Sequence, residues 1–355
     1  PLAKHLDGLP QAWRPLTLRQ LLTHTSGLKD WEAAGLLDFR REYTDAEFDA
    51  LMAPYALDFA PGTRWGYSNT GYILLGRVVA KVAAMPYDEF VRTRIFARLG
   101  MDATRFSRPQ EIVPHRAGGY VDGAEGLRKG MLLRPRIVEP NGGILATANE
   151  LAKWSRSFRP GALMREECLA AMTSPVQLAD GGTFPSGLGL FASSFRGHRT
   201  WVNNGTTPGG YSAVYYVYPD DALAVHVLCN IDRGDAINRI ATRVASFQVH
   251  GLDVRSLATV DDHAPRETKA LFAALRAHAA GRSDSRVAGS LRLSEDARKR
   301  MAAQLARDAR IVRLEPDPGA AATLRYRVEN AGQRWWYTLV LDDEGRIADL
   351  EFEGE

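Results

Sequence analysis

Two groupings in this chain join side chains that could do chemistry. The first is Ser26-Gly27-Leu28-Lys29. A serine and a lysine one helical turn apart share a face, and the amine can then serve the hydroxyl as its base. Here a glycine follows the serine at once. The pair also falls at the end of a helical stretch rather than its start, so it reads as a turn. The second grouping is Tyr67-Ser68-Asn69, a phenol and a carboxamide just ahead of an apolar stripe. Taken alone, these residues read as an aromatic at a helix start and an N-cap.

The other polar candidates have bland readings. His24 is expected to be buried and hydrogen-bonded. His226 alternates with apolar residues and reads as packing, and His115 sits beside Pro114 in a loop. The pairs Asp220-Asp221, Asp261-Asp262 and Asp342-Asp343 lie at turns, where aspartate is favoured for backbone reasons. No His/Asp spacing points to zinc, so neither a metal nor a cofactor is expected. Cys168 and Cys229 form no C-x-x-C unit, and Cys229 in its apolar run reads as a buried thiol.

These groups need elements to hold them. Thr17 with Gln20, Thr44 with Glu47 and Thr147 with Glu150 have capping-box spacing at three helix starts. The stripe Ile73, Leu74, Val78, Val79 and Val82 has helical period, and a further helix carries Phe90 to Leu99 and stops at Gly100. Tyr211–Tyr218 and Leu223–Cys229 flank a Pro-Asp-Asp turn and read as an antiparallel hairpin. Ile240–Val249 returns to helix. Beyond it, two helical stretches (266–280 and 294–309) precede four strand-like runs at 311–314, 323–328, 335–341 and 347–352. One face of Trp335-Trp336-Tyr337 should build a local core. With 355 residues, two domains are expected. The charge of +3 is spread among acids, which argues against a nucleic-acid partner. No apolar run is long enough to span a membrane.

Several phrases resemble the serine β-lactamase and penicillin-binding-protein hydrolases, in the class C and esterase branch. They are Leu21–Leu28 (LLTHTSGL), Pro61-Gly62-Thr63 with Tyr67–Tyr72 (YSNTGY), and Leu99–Thr104 (LGMDAT). Gly142–Thr147 (GGILAT) and Thr207-Pro208-Gly209 complete the set. They occur in the family's order across residues 1 to about 250. The resemblance implies an α/β, β-lactamase/transpeptidase-like fold, with an antiparallel sheet flanked by helices plus a helical subdomain. The domain is expected over 1–252, with a linker at 253–264. A small α+β domain follows at 265–355, similar in its helix–strand order to cystatin- or NTF2-like modules.

The resemblance also implies acyl transfer through a serine, acting on a small ester, amide or D-amino-acid peptide. Tyr67 would be the catalytic phenol, exchanging a proton with the serine and the leaving group. Asn69 would offer its amide to the substrate's acyl side. Asn203 and Gly205 stand where the family has Lys/His-x-Gly. Thr206 stands where a strand N–H serves the oxyanion hole, worth roughly 3 kcal/mol in the transition state. Asparagine at 203 carries no charge, so an anionic carboxylate loses its expected partner. That favours a neutral substrate, or a non-catalytic binder of the same fold. The family's S-x-x-K helix is expected upstream of Pro1, along with any signal peptide, and export to the periplasm or outside is the favoured location.

Overall fold

The structure is a computed structural model that describes residues 1–108, 110–131, 136–159, 161–306, 308–316 and 322–354, the side chain of Asp235 excepted. It divides into two units, Pro1–Ser193 with Thr200–Ala241, and Ser194–Arg199 with Thr242–Glu355.

In the first unit, α1 (Leu18–Leu22), α2 (Asp45–Met52) and α3 (Asn69–Ala83) come first. The Thr17 hydroxyl accepts the Gln20 N–H, and the Gln20 side chain accepts the Thr17 N–H, closing a capping box; Thr44 and Glu47 repeat it. Ser68 is the N-cap of α3, its hydroxyl accepting the Gly71 N–H. That leaves Asn69, 5% exposed, as the first helical residue rather than the cap. Helix α4 (Tyr87–Val91) runs through a wide π turn, Arg92–Phe96, into α5 (Ala97–Leu99) and ends at Gly100, with φ of 67°. Trp13, Leu21, Trp31, Phe48, Ile73 and Leu74 form one core beneath these helices.

Short strands β1 (Arg105–Phe106), β2 (Tyr120–Gly123), β3 (Gly126–Lys129) and β4 (Ile144–Leu145) lead to α6 (Ala148–Ser155) and α7 (Glu166–Thr173). Then come β5 (Val176–Gln177), β6 (Thr183–Phe184), β7 (Phe191–Phe195), β8 (His198–Thr207), β9 (Tyr211–Tyr218), β10 (Leu223–Cys229) and α8 (Gly234–Ala245). The main sheet has the order β10-β9-β8-β7. Sequence pattern identified β9 and β10 but not β7 or β8, whose residues lack a long β-branched or aromatic run. In the ladders Asn203 pairs with Tyr215, and Tyr215 with His226, so one row crosses three strands. Phe158, Leu169, Leu190, Trp201 and Val217 pack around this sheet.

The second unit has α9 (Pro265–Ala279), α10 (Glu295–Gln304) and an antiparallel meander, β11 (Arg310–Arg313), β12 (Thr323–Asn330), β13 (Gln333–Leu341) and β14 (Ile347–Gly354). Phe272 of α9 meets Tyr326 and Tyr337 edge-on, in the core of one sheet face. Trp336, the neighbour that points the other way, packs with Val254, Leu257 and Leu314. The stretch 253–264, expected as a linker, thus buries two apolar side chains, and Thr259 bridges to Leu314. The expected helix over 294–309 ends at Gln304, and residue 307 lies outside the described residues.

The hairpin tip Ser194–Arg199 belongs to this unit. Arg196, at φ 52°, gives its N–H to Glu351 Oε1 at 2.9 Å and its guanidinium to Glu353 at 2.6 Å. Arg325, 1% exposed, donates to the Arg196 carbonyl at 2.8 Å. No helix among the described residues is long and apolar enough to cross a membrane.

Candidate functional site

The start of α3 gathers polar groups from three loops. Tyr67 donates its hydroxyl proton to Asn69 Oδ1 at 3.1 Å, and Asn141 Nδ2 donates to the same oxygen at 3.0 Å. Asn69 Nδ2 faces Glu32 Oε2 at 2.9 Å and both Asp30 oxygens at 3.3 and 3.4 Å. The amide of Asn69 therefore links a phenol on one side to two carboxylates on the other.

Local chain geometry sets this up. At the end of α1 the Thr25 N–H reaches the Gln20 carbonyl, and the His24 N–H reaches that of Leu21. This is a Schellman closure, and it puts His24 at the left-handed position, φ 57°, where glycine is usual. The His24 ring then turns inward. Its Nδ1 accepts the Ser68 N–H at 3.1 Å, and the ring lies between Tyr67 (4.5 Å) and Tyr72 (5.0 Å). Burial holds this imidazole down at about 4. His24 is therefore a neutral acceptor that supports the Tyr67 ring and the Ser68 backbone.

The electrostatics follow from the burial of two neighbouring carboxylates. Burial raises Asp30, opposed by hydrogen bonds from Glu32 and Asn69. Burial and the Asp30 charge raise Glu32. Tyr67 is pushed up to about 12, first by loss of water and then by these two carboxylates. The residue as a whole is 49% exposed, but its hydroxyl end is engaged with buried Asn69. The phenol is thus protonated at neutral pH and acts as a donor.

The sheet reaches the same helix through another route. Asn203 Nδ2 donates to the Gly189 carbonyl at 2.9 Å. A Cβ on Gly189 would stand 3.0 Å from the Tyr72 hydroxyl, which itself donates to the Leu22 carbonyl. Tyr72 is raised by burial and by its phenolic neighbours, Tyr67 first. Beyond Asn203, residues Asn204, Gly205 and Thr206 are exposed, and a Cβ on Gly205 would meet nothing within 4 Å. The five-residue β7 can flank only about half of the ten-residue β8, so this end of β8 has an open edge.

Ser26 and Lys29 turn apart. Ser26, 1% exposed, accepts the Leu28 N–H at 3.3 Å, while Lys29 pairs with Asp58 at 3.2 Å. Among the described residues the hydroxyl has no amine hydrogen-bonded to it.

A family model described as Beta-lactamase matches residues 1–248. The chain belongs to the beta-lactamase family. Penicillin-binding protein 4* of Bacillus subtilis is 26% identical over 269 residues, covering 69% of this chain and 58% of that protein. The solved D-stereospecific amidohydrolase from a Streptomyces species is 27% identical with a TM-score of 0.60, covering 71% of this chain and 78% of that one. The octameric penicillin-binding protein homologue from Pyrococcus abyssi covers all of this chain (100%) and 80% of its own, with a TM-score of 0.58; at 19% identity the likeness is one of fold. The chain spans about half the length of the curated relatives it matches.

For a beta-lactamase-family chain, the phrases singled out in the sequence mark the site's neighbourhood and miss part of its contents. Asp30, Glu32 and Asn141 were not singled out. Each lies just outside a family-like phrase, Asp30 and Glu32 after Leu28 and Asn141 before Gly142. His226, read as packing, hydrogen-bonds Ser155 of α6 at 2.8 Å.

Proposed function

We propose that the first unit carries the tyrosine half of an acyl-transfer site in a serine hydrolase of esters, amides or D-amino-acid peptides. The reaction would pass through an acyl-enzyme. The supporting observation is the Tyr67–Asn69 hydrogen bond at the buried start of α3, with β8 tied to that helix through Asn203, Gly189 and Tyr72. Tyr67 would pass a proton between the nucleophile and the leaving group, and Asn69 would orient the acyl side. The main-chain N–H at Thr206 would face the developing oxyanion, a role that side-chain identity does not alter.

The attacking serine and its lysine are proposed to come from outside residues 1–355. An ammonium brought against Asp30 and Glu32 would neutralise them. It would also lower Tyr67 from about 12, towards the range where a phenol can take a proton as well as give one. The second reading is a non-catalytic binder of the same fold. It is favoured by Asn203, which stands where a cation would bind a carboxylate and spends its amide on the Gly189 carbonyl.

Fluorophosphonate labelling separates the two. Residues 1–355 alone should take no label. The intact gene product should be labelled at an upstream serine and should turn over a p-nitrophenyl ester, nitrocefin or D-phenylalanine amide. Labelling at Ser26 would refute the reading of that residue, and an inert intact product would establish the binder.

A further inference from the structure

A groove lies on the first unit between the end of α3 and the α4–π–α5 helix. Its volume is about 470 Å³, and Met85, Phe90, Ile95, Leu163, Arg94 and Arg98 line it with Ala83. That size falls within the range of sites that hold small molecules, about 300–1,000 Å³. Phe90 and Ile95 pack inward on the cluster of Val91, Phe96, Met101 and Phe106 and are only partly buried.

The charge at the rim is one-sided. Arg94 and Arg98 are exposed, and neither has an acidic partner among the described residues. Some arginines of this unit are paired, Arg105 with Glu111, Arg108 with Asp88 and Glu139, and Arg77 with Asp45 and Asp49, whereas Arg14, Arg19 and Arg92 are exposed like these two and have no acidic partner among the described residues. Like charges one turn apart repel each other and cost the helix stability. The carbonyls at the helix end account for Arg98, but Arg94 is a full turn further back. Arg94 itself lies in the π turn Arg92–Phe96, a rare widening found mostly at functional positions, and Arg98 follows it in α5.

We propose that this groove binds an anionic amphiphile, a long-chain carboxylate whose alkyl chain lies on Phe90 and Ile95 and whose head sits between Arg94 and Arg98. An acidic peptide is the poorer occupant. Its backbone N–H and C=O groups would face an apolar lining that offers them no partners, a cost a hydrocarbon avoids. Two guanidinium groups, each donating to the carboxylate, give the head its hold.

The test is calorimetric titration of the chain with sodium dodecanoate below its micelle concentration, with 1-dodecanol as the uncharged twin. Dodecanoate should bind one to one, and its affinity should fall with added salt. Dodecanol should bind at least about tenfold more weakly, as should dodecanoate to the Arg94→Gln/Arg98→Gln variant, since losing a charged hydrogen bond is worth about that factor. The Arg94→Lys/Arg98→Lys variant should keep most of the affinity, and it carries the test if the glutamine variant fails to fold. Equal affinity for acid and alcohol, unchanged affinity in the glutamine variant, or no saturable binding would overturn the proposal. So would binding to phosphatidylglycerol vesicles without binding of free dodecanoate, because that marks a membrane-facing patch instead.

Discussion

Acidification from pH 7.5 to 5 should weaken the first unit through one imidazole. His24 is 7% exposed, and its folded value is held at about 4 by burial. Once unfolded it returns to about 6.5. Between these values the unfolded chain holds more protons, so stability rises with pH through the window and is lost as pH falls through it. At pH 5 the unfolded ring is almost fully protonated and the folded ring about one-tenth, a difference of about 2 kcal/mol relative to pH 7.5. Asp30 and Glu32 act in the opposite direction, because their raised values make the folded state the stronger proton binder in the acid range. A matched variant removes their contribution. His24→Asn suits this purpose, since asparagine tolerates the left-handed backbone at φ 57° and its side-chain oxygen can accept the Ser68 N–H. The assay is urea unfolding followed by tryptophan fluorescence at several pH values; five of the seven tryptophans belong to the first unit. Wild type should lose about 2 kcal/mol more than His24→Asn between pH 7.5 and 5. Parallel pH profiles for the two proteins would refute the assignment of a neutral, buried imidazole at this position.

Three further outcomes are expected. In the intact gene product, Tyr67→Phe should lower kcat by roughly 10²–10³-fold while costing only the stability of its one hydrogen bond to Asn69, about 1 kcal/mol; a rate within a few-fold of wild type would remove Tyr67 from the chemistry. Gly76→Ala should destabilise the first unit by about 1–3 kcal/mol, because the new methyl would collide with the Pro140 ring across α3; a neutral result by urea unfolding would show that the contact yields. Glu351 is raised to about 7, mainly by burial and against the pull of Arg196, so the second unit should lose stability as pH rises from about 4.5 to 7. The side chain keeps 27% exposure, which trims the expected loss to about 1–3 kcal/mol. Glu351→Gln should flatten that dependence in calorimetric scans.

Part of this molecule is legible in the order of its residues. The capping boxes at Thr17 and Thr44, the stop at Gly100 and the helical stripe from Ile73 are local devices, each decided by groups within a few positions. The hairpin of β9 and β10 shows in the same way, through β-rich runs around a turn. The family-like phrases marked Tyr67 and Asn69, because those two residues lie only two positions apart in the chain.

Only tertiary structure decided the rest. Asp30, Glu32 and Asn141 meet Asn69 from 37 to 72 residues away, and nothing local in their sequence states that meeting. The raised Tyr67 and the depressed His24 depend on burial and on charges brought near by folding. Strand β8 owes its place to the ladder with β9, and β7 its place beside β8, more than to their own composition. Sequence fixes short-range hydrogen bonds and periodicity, whereas proton affinities and cross-chain partners are set by the low-polarity surroundings that exist only once the distant segments have packed.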